Sequence, residues 1–185
     1  MKLLLTRHGE TQENVQKTVI GQLGGTLSRT GEEQARRLRD ELADTTIDII
    51  VSSDLKRCKD TTVIINMDRD IPVIYDPKLR EMNFGNLQGL PHGSHASDID
   101  YLANLDAKFP HGESNREMIT RVIDVVNDIY KKNPNNTVLI VSHSGPLSVI
   151  VASVNNQHLG ETMDNKAGFA SIMTFTVEKT LEYPN

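Results

Sequence analysis

The sequence has few of the features that mark extracellular, membrane or nucleic-acid-binding proteins. Its 185 residues include a single cysteine, Cys58, which excludes an intramolecular disulfide and a thiolate metal cluster within the chain. Basic residues number 20 against 25 acidic ones, and the net charge of -5 argues against a surface that binds nucleic acid or an anionic membrane. Any affinity for phosphate must therefore come from a local cluster of side chains.

Long apolar runs are also missing. The run Leu3–Leu5 near the start is too short for the apolar region of a signal peptide, and no later stretch is long enough for a membrane-spanning helix. We therefore expect a cytoplasmic protein with no membrane or nucleic-acid partner. A chain of this length is predicted to form a single domain over residues 1–185.

The sequence does contain alternating strand and helix patterns, which are typical of an α/β three-layer sandwich with a mostly parallel central sheet. We predict strands over Lys2–Thr6, Ile47–Ser52, Val73–Tyr75 and Thr137–Ser142, with an edge strand over Ser171–Val177. Helices are predicted over Glu32–Ala43, Arg57–Asn66 and Glu113–Lys132, with another that opens at Ser144. The predicted helix caps are a capping box at Thr30–Glu33 and an N-cap at Ser53 or Asp54.

Residues 83–112 differ from the rest of the chain because they lose apolar periodicity and gather Gly, Pro, His and Asp. Such composition is typical of loops. We interpret this segment as a short surface excursion that could act as a lid, with at most one short helix around Ile99–Leu105.

Side chains suited to phosphate follow three of the predicted strands. Arg7 and His8 follow the first strand. Arg57 lies in the opening turn of the helix after the second, and His143 follows the strand that ends at Ser142. Ligands bind at the carboxyl ends of strands in open α/β sheets, and arginine offers phosphate a planar charged fork. Since histidine is both basic and nucleophilic near neutral pH, these residues together predict a small cationic phosphate site.

The segments around these residues resemble, in order, the motifs of the histidine phosphatase superfamily, which includes cofactor-dependent phosphoglycerate mutases and many small-molecule phosphatases. The matching segments are Leu5–Thr11 with Asn14, Leu27–Gly31 with Gln34 and Ala35, Ser52–Arg57 with Thr61 and Thr62, Leu79–Gly85 with Gly89, Gly112–Ser114 and Val141–His143. The resemblance covers nearly the whole chain. It implies a phosphoglycerate mutase-like fold.

The resemblance also implies a mechanism. His8 would attack the substrate phosphorus as a neutral imidazole and form a phosphohistidine that water later hydrolyses. Glu81 would protonate the leaving alkoxide and then activate the water. The residues that would hold the phosphate are Arg7, Arg57, His143, Asn14, the backbone near Gly21 and the amide of Ser144. Such an enzyme would use no metal and no cofactor, and would act on a small-molecule phosphate ester as a monomer or homodimer.

Two positions beside Glu81 depart from the mutase pattern. Where mutases carry an arginine and a tyrosine, this chain has Met82 and Phe84. Residues 90–110 also lack the paired arginines with which mutases grip phosphoglycerate, and offer only Lys108 and several acids. Without such a clamp the product leaves before the phosphoryl group returns to it. The pattern therefore favours a phosphatase over a mutase.

Three alternatives stay open on the sequence alone. The first is phosphoglycerate mutase-type transfer, and the second is a noncatalytic phosphate-binding regulator on the same fold. Such a regulator would need neither a nucleophile nor a positioned acid, so the intact residue set argues against it. The third involves a metal: His92 and His95 could ligate an ion with Asp98 or His111, and a metallohydrolase could use His8 and His143, although metal sites seldom place two arginines beside the ion. Histidines in a segment of this composition more often lie in a solvated loop than in a metal site.

Overall fold

The structure, a computed structural model, describes residues 1–93, 100–164 and 167–184. In this part of the chain the elements are, in order, β1 (Lys2–Arg7), α1 (Gln12–Val15), α2 (Arg29–Glu41), β2 (Ile49–Ser52), α3 (Lys56–Ile65), β3 (Val73–Tyr75), two 3₁₀ turns (Pro77–Leu79 and Gly85–Leu87), α4 (Asn115–Lys132), β4 (Thr137–Ser142), α5 (Ser144–Asn155), α6 (Leu159–Asp164) and β5 (Ile172–Thr176). The five predicted strands are all present, whereas α1 and α6 were not predicted.

The strands of the described residues form one sheet in the order β3-β2-β4-β1-β5. Neighbouring strands are parallel except for β5, which runs antiparallel to β1 at the edge of the sheet. Arg7 at the end of β1 lies in register with Ser142 at the end of β4, and Ser52 at the end of β2 pairs with Val141. The residues that follow β1, β2 and β4 therefore share one edge of the sheet, as the sequence predicted.

Helices cover both faces of this sheet. Because successive side chains of a strand point to opposite faces, Leu3 and Leu5 pack in one core cluster with α4 and α5, whereas Leu4 packs in the other with α2 and α3. All three leucines are buried. Truncating a leucine so placed typically costs about 2–5 kcal/mol of stability. The predicted three-layer α/β fold with a mostly parallel sheet is confirmed.

The predicted start of α2 is wrong, because a different residue caps the helix. The hydroxyl of Ser28 accepts a hydrogen bond from the Gly31 N–H at 3.0 Å, so that the helix begins at Arg29. Thr30 and Glu33 of the proposed capping box therefore both lie within the helix. A side-chain cap of this kind is typically worth about 1 kcal/mol.

The predicted caps of α3 are also wrong. The residue before this helix is Leu55, which makes no side-chain capping bond. Ser53 instead lies 2.8 Å from the His143 ring, and Asp54 forms an ion pair with Arg80. Two polar residues that the sequence assigned to a helix terminus therefore serve contacts to other elements.

The start of α4 is shifted by a capping box that the sequence contained. Ser114 accepts from the Glu117 N–H, and the Glu117 carboxylate accepts from the Ser114 N–H. The helix therefore begins at Asn115 rather than at Glu113. Glu113 is left outside the helix, where its carboxylate pairs with Arg121.

The sequence predicted at most one short helix around Ile99–Leu105, and the described part of that range contains no helix. Residues 100–105 form turns and irregular structure, and Ile99 lies outside the described residues. The excursion at 83–112 does contain the 3₁₀ turn Gly85–Leu87. Among the described residues, no helix combines the length and the apolar character needed to cross a membrane. The single domain and the lid remain predictions.

Candidate active site

A cavity of about 410 Å³ opens where β1 and β4 end. All the predicted site residues except His143 line it, namely Arg7, His8, Asn14, Gly21, Arg57, Glu81 and Ser144. They come from widely separated parts of the chain. The structure therefore brings these residues together around one cavity, and their chemical roles remain predictions.

His8 lies at the floor of this cavity and is 3% exposed. Its Nδ1 is 2.7 Å from the Gly9 carbonyl oxygen, and its Nε2 is 3.2 Å from Nε of Arg57. Because a carbonyl oxygen only accepts hydrogen bonds, the ring proton is on Nδ1. The lone pair is then on Nε2, which is the arrangement that a nucleophilic imidazole requires.

Arg57 connects the two histidines to the loop that carries Gly21. The side chain is 1% exposed, and its Nε lies 3.2 Å from both His8 Nε2 and His143 Nδ1. Its Nη2 donates to the Gly21 carbonyl at 2.7 Å, and Nη1 donates to the Leu23 carbonyl at 2.6 Å. This guanidinium therefore fixes the backbone of the loop at Gly21 and Leu23 and also contacts both histidine rings.

His143 lies behind this wall rather than on it. Its ring centroid is 5.2 Å from that of His8, and the residue is fully buried. Since Arg57 Nε can only donate, His143 Nδ1 accepts, and His143 Nε2–H donates to the Ser53 hydroxyl at 2.8 Å. In this geometry His143 and Ser53 orient Arg57, while direct contact between His143 and a phosphate stays a prediction.

Two buried polar atoms in the wall of the cavity have no hydrogen-bond partner among the described residues. They are Nε of Arg7 and the hydroxyl oxygen of Ser144. Leaving a buried polar group unpaired typically costs about 1–3 kcal/mol. Ser144 is also the first residue of α5, where the helix dipole and free N–H groups favour an anion. Both atoms are therefore suited to phosphoryl oxygens.

Phe169, which no sequence pattern indicated, restrains the guanidinium of Arg7. Arg7 lies over its ring with 4.0 Å between the guanidinium carbon and the ring centroid. The same ring is 5.9 Å from that of His8. An arginine over an aromatic face is attracted electrostatically and loses rotational freedom, which aims it at the cavity.

Asn14 and Gly21 also line the cavity. The Asn14 Oδ1 accepts from the backbone N–H and hydroxyl of Thr11, which leaves its amide N–H groups as donors for a ligand. Gly21 has a φ of +52°, and a Cβ there would lie 2.2 Å from Oε1 of Gln88. This left-handed backbone conformation favours glycine, and a side chain here would also displace Gln88, so glycine lets the loop approach the cavity with its backbone.

Glu81 is anchored at the same cavity through its carboxylate. Its Oε1 accepts from the Met82 N–H at 2.9 Å and from the Gly145 N–H at 3.2 Å. A Cβ on Gly145 would lie 2.5 Å from that oxygen. The glycine in the first turn of α5 therefore lets the carboxylate approach the helix N-terminus.

Arg121 holds the segment that carries Glu81, and sequence reasoning missed it. Its guanidinium donates to the carbonyl oxygens of Arg80 at 2.6 Å and of Glu81 at 3.1 Å. The Glu113 carboxylate accepts from the same guanidinium at 2.7 and 2.9 Å. Arg121 is a polar residue within α4, so its sequence position gives no indication that it reaches a loop that precedes the helix.

Burial and neighbouring cations keep both histidines neutral. Desolvation lowers the pKa of His8 well below its usual 6.5, and the charges of Arg57 and Arg7 lower it further. Desolvation and Arg57 act in the same direction on the pKa of His143. Neutral imidazoles fit the proposed nucleophile.

Burial also raises the pKa of Cys58 to about 12, so this thiol is an inert core group.

We expect these two histidines to destabilise the protein in acid. Their folded-state pKa lies below that of the unfolded chain, so unfolding takes up protons as the pH falls below about 6.5. Each imidazole then contributes a loss of up to about 1.4 kcal/mol per pH unit. Urea unfolding at pH 7.5, 6.5 and 5.5 measures this loss, which the His143→Asn variant should reduce. A free energy of unfolding that stays level over this range contradicts the expectation.

Replacing Arg57 with alanine is expected to lower kcat/KM for phosphate release by about 10²- to 10³-fold, the usual value of one preorganised donor to a charged transition state. Arg57→Lys should recover only part of this, because an ammonium group cannot hold the carbonyls and both imidazoles at once. Arg29→Ala removes an exposed arginine of α2 and is the matched control. Equal activity of Arg57→Ala and this control would refute a role for Arg57 in the reaction.

Metal ligation receives no support from the described part of the chain. In residues 1–93, 100–164 and 167–184, no group of three or more His, Cys, Asp or Glu side chains could hold a metal ion. His92 does line the cavity. Of the other candidate ligands, His111 is described but does not line the cavity, and His95 and Asp98 lie outside the described residues.

Comparison with protein families gives a match over almost the whole chain. Residues 3–181 match the model of the histidine phosphatase superfamily (branch 1). The matched range includes every residue of the candidate site.

Individual relatives include both phosphatases and probable mutases. The chain is 32% identical over 151 residues to the uncharacterized phosphatase PhoE of Bacillus subtilis, a match that covers 82% of this chain and 76% of PhoE. It is 33% identical over 161 residues to the probable phosphoglycerate mutase GpmB of Enterobacter, covering 83% and 74%. The crystal structure of a putative alpha-ribazole-5'-P phosphatase from Escherichia coli superimposes with a TM-score of 0.85 at 27% identity, covering 100% of this chain and 96% of the other.

Proposed function

The chain belongs to the histidine phosphatase superfamily (branch 1), and from this membership we propose that it hydrolyses a small phosphomonoester through a phosphohistidine on His8. The observation that carries the proposal is the buried His8 ring, which turns an unprotonated Nε2 toward Arg57 in the cavity that Glu81 also lines. A nucleophile, a phosphate clamp and a carboxyl group that can transfer protons are the parts that such hydrolysis needs.

In the first step His8 Nε2 attacks phosphorus, and the bond between phosphorus and the ester oxygen breaks. Glu81 gives its proton to the leaving oxygen, so the product departs as a neutral alcohol. In the second step the Glu81 carboxylate takes a proton from water, which attacks phosphorus and breaks its bond to nitrogen. Arg7, Arg57, Asn14 and Ser144 would hold the phosphoryl oxygens throughout and offset their charge.

Hydrolysis is favoured over mutase-type transfer by the residues beside Glu81. A mutase must retain its product while the phosphoryl group returns to it. Met82 is buried and Phe84 packs against Phe109 in the positions where the mutase pattern has polar side chains. Because neither side chain can bind a carboxylate, the product has no anchor and water takes the phosphoryl group.

The proposal is tested by release of inorganic phosphate from a panel of phosphomonoesters, assayed with and without EDTA. We expect turnover that EDTA leaves unchanged, because the proposed mechanism uses side chains alone. The products should be alcohol and phosphate, without an isomerised ester. Isomerised ester as the main product would establish the mutase alternative. Activity abolished by EDTA would favour the metallohydrolase, and absence of turnover would favour the noncatalytic regulator.

A further inference from the structure

The part of the cavity beyond the phosphate clamp is apolar. Its wall is formed by aliphatic, thioether and aromatic side chains, among them Ile20, Met82, Phe84, Tyr101, Leu102 and Phe109. The cavity as a whole has about 410 Å³, which is within the usual range of sites for small molecules. If the phosphoryl group binds at His8, this wall is what the rest of the ester contacts.

Aromatic rings are concentrated in this wall. The chain has only four Phe and four Tyr residues, and three of them meet here. The rings of Tyr101 and Phe109 stack with centroids 4.0 Å apart, and Phe84 meets Phe109 edge-on at 5.1 Å. Stacked and edge-on rings support each other, so they form a preorganised apolar surface.

Positive charge is confined to the phosphate end. The described residues that line the cavity include two arginines, Arg7 and Arg57, and no lysine. One further basic side chain, the imidazole of His92, also lines it. Lys108 and Arg116 are close in sequence to Phe109, but both are exposed and form ion pairs with acidic side chains. A second anionic group on the substrate would therefore lose water without gaining a cationic partner, which is costly.

We propose that this apolar wall selects phosphomonoesters of aromatic or long-chain apolar alcohols and disfavours esters that carry a second anionic group. This inference rests on the proposed function, since it assumes that the phosphoryl group binds at His8. Apolar burial contributes about 0.8 kcal/mol for each methylene group, which corresponds to about a fourfold gain in kcat/KM. This gain should stop once the alkyl chain of the substrate extends beyond the apolar wall.

The first test uses the unmodified protein and a series of ethyl, butyl and hexyl phosphates, with 3-phosphoglycerate as the comparison that carries a second anionic group, a carboxylate. The alkyl alcohols have nearly equal leaving-group acidity, so differences in kcat/KM report contact with the wall. We expect kcat/KM to rise about fourfold for each methylene group of the alkyl chain. The kcat/KM for 3-phosphoglycerate should be lower than that for butyl phosphate. A level or falling series, or preference for 3-phosphoglycerate over hexyl phosphate, overturns the inference.

The second test changes the wall. Leu102 is 43% exposed at its rim, so Leu102→Lys can be introduced without disturbing the core. The new cation should raise kcat/KM for 3-phosphoglycerate by about two- to fivefold, the usual value of an exposed ion pair, and lower it for hexyl phosphate. Val63→Lys places the same charge on α3, outside the cavity, and should leave the ratio of the two substrates unchanged. Equal ratios in both variants overturn the inference.

The outcomes separate this inference from the proposed function. Hydrolysis of every ester at similar kcat/KM leaves the phosphatase in place and refutes selection by the apolar wall. Failure to hydrolyse any of them, together with failure of the wider panel, refutes the proposed function and with it the inference.

Discussion

Replacing His8 with alanine is expected to lower kcat for phosphate release by about 10⁵-fold or more, as is usual when a covalent nucleophile is removed. The imidazole is buried at the floor of the cavity, and its Nε2 is the nucleophilic atom in the proposed reaction. Arg57 and Glu81 would still line the cavity of the variant. They could bind the ester and hold its charge, but no side chain would accept the phosphoryl group.

The measurement for His8→Ala is steady-state release of phosphate from hexyl phosphate, and from any better substrate that the panel identifies. His158→Ala removes an exposed histidine that does not line the cavity, and this control should keep full activity. The variant's fold is checked by its circular dichroism, because His8 is buried and its removal leaves a gap. A folded His8→Ala protein with undiminished turnover would refute the proposed mechanism.

Glu81→Gln is expected to have the second largest effect, a loss of about 10²- to 10⁴-fold in kcat/KM for alkyl phosphates. Glutamine has the same shape, and its side-chain oxygen can still accept from the N–H groups of Met82 and Gly145. It has no acidic proton to give to the leaving alkoxide. The loss therefore isolates proton transfer from positioning.

The leaving group distinguishes these two roles. p-Nitrophenol leaves as a stable phenolate and needs little protonation, so Glu81→Gln should lose much less activity on p-nitrophenyl phosphate in the step that phosphorylates His8. Burst kinetics measure this step separately from hydrolysis of the phosphohistidine. Glu33→Gln, on the exposed face of α2, is the control. Equal losses on alkyl and aryl esters would assign Glu81 a structural role.

The sequence was sufficient to predict where the candidate site lies. Arg7 ends β1, His8 follows it and His143 follows β4, so parallel pairing of these two strands places them at one edge of the sheet. This inference needs only the strand positions and the rule that carboxyl ends of parallel strands meet. It needs no accurate helix boundary, which is why errors at α2, α3 and α4 did not affect it.

The residues that position the site were not predictable in the same way. Ser53 contacts His143, which is 90 residues away, and Arg121 reaches the Glu81 carbonyl 40 residues before it. Phe169 lies under Arg7 from the far end of the chain. Such contacts depend on how loops and helices pack against one another. The local sequence around Ser53 indicated a helix cap, a role that Leu55 takes without a side-chain bond.

Helix caps show a similar limit of local reasoning. Ser28 and Thr30 are both good N-cap residues, and Glu33, three residues after Thr30, made Thr30 the predicted cap. The structure selects Ser28, whose hydroxyl also donates to the Glu10 carboxylate at 2.7 Å. A contact with a distant loop therefore determines where the helix begins.

The central claim is that His8 carries the phosphoryl group, and rapid acid-free quenching of the enzyme during turnover tests it most directly. Digestion at high pH, where a phosphorus–nitrogen bond survives, is followed by mass spectrometry of the peptide with residues 3–17. We predict one added phosphoryl group on His8, which forms and decays at rates compatible with kcat and is absent from His8→Ala. Turnover with an unmodified His8, or with the phosphoryl group on another residue, would contradict the account.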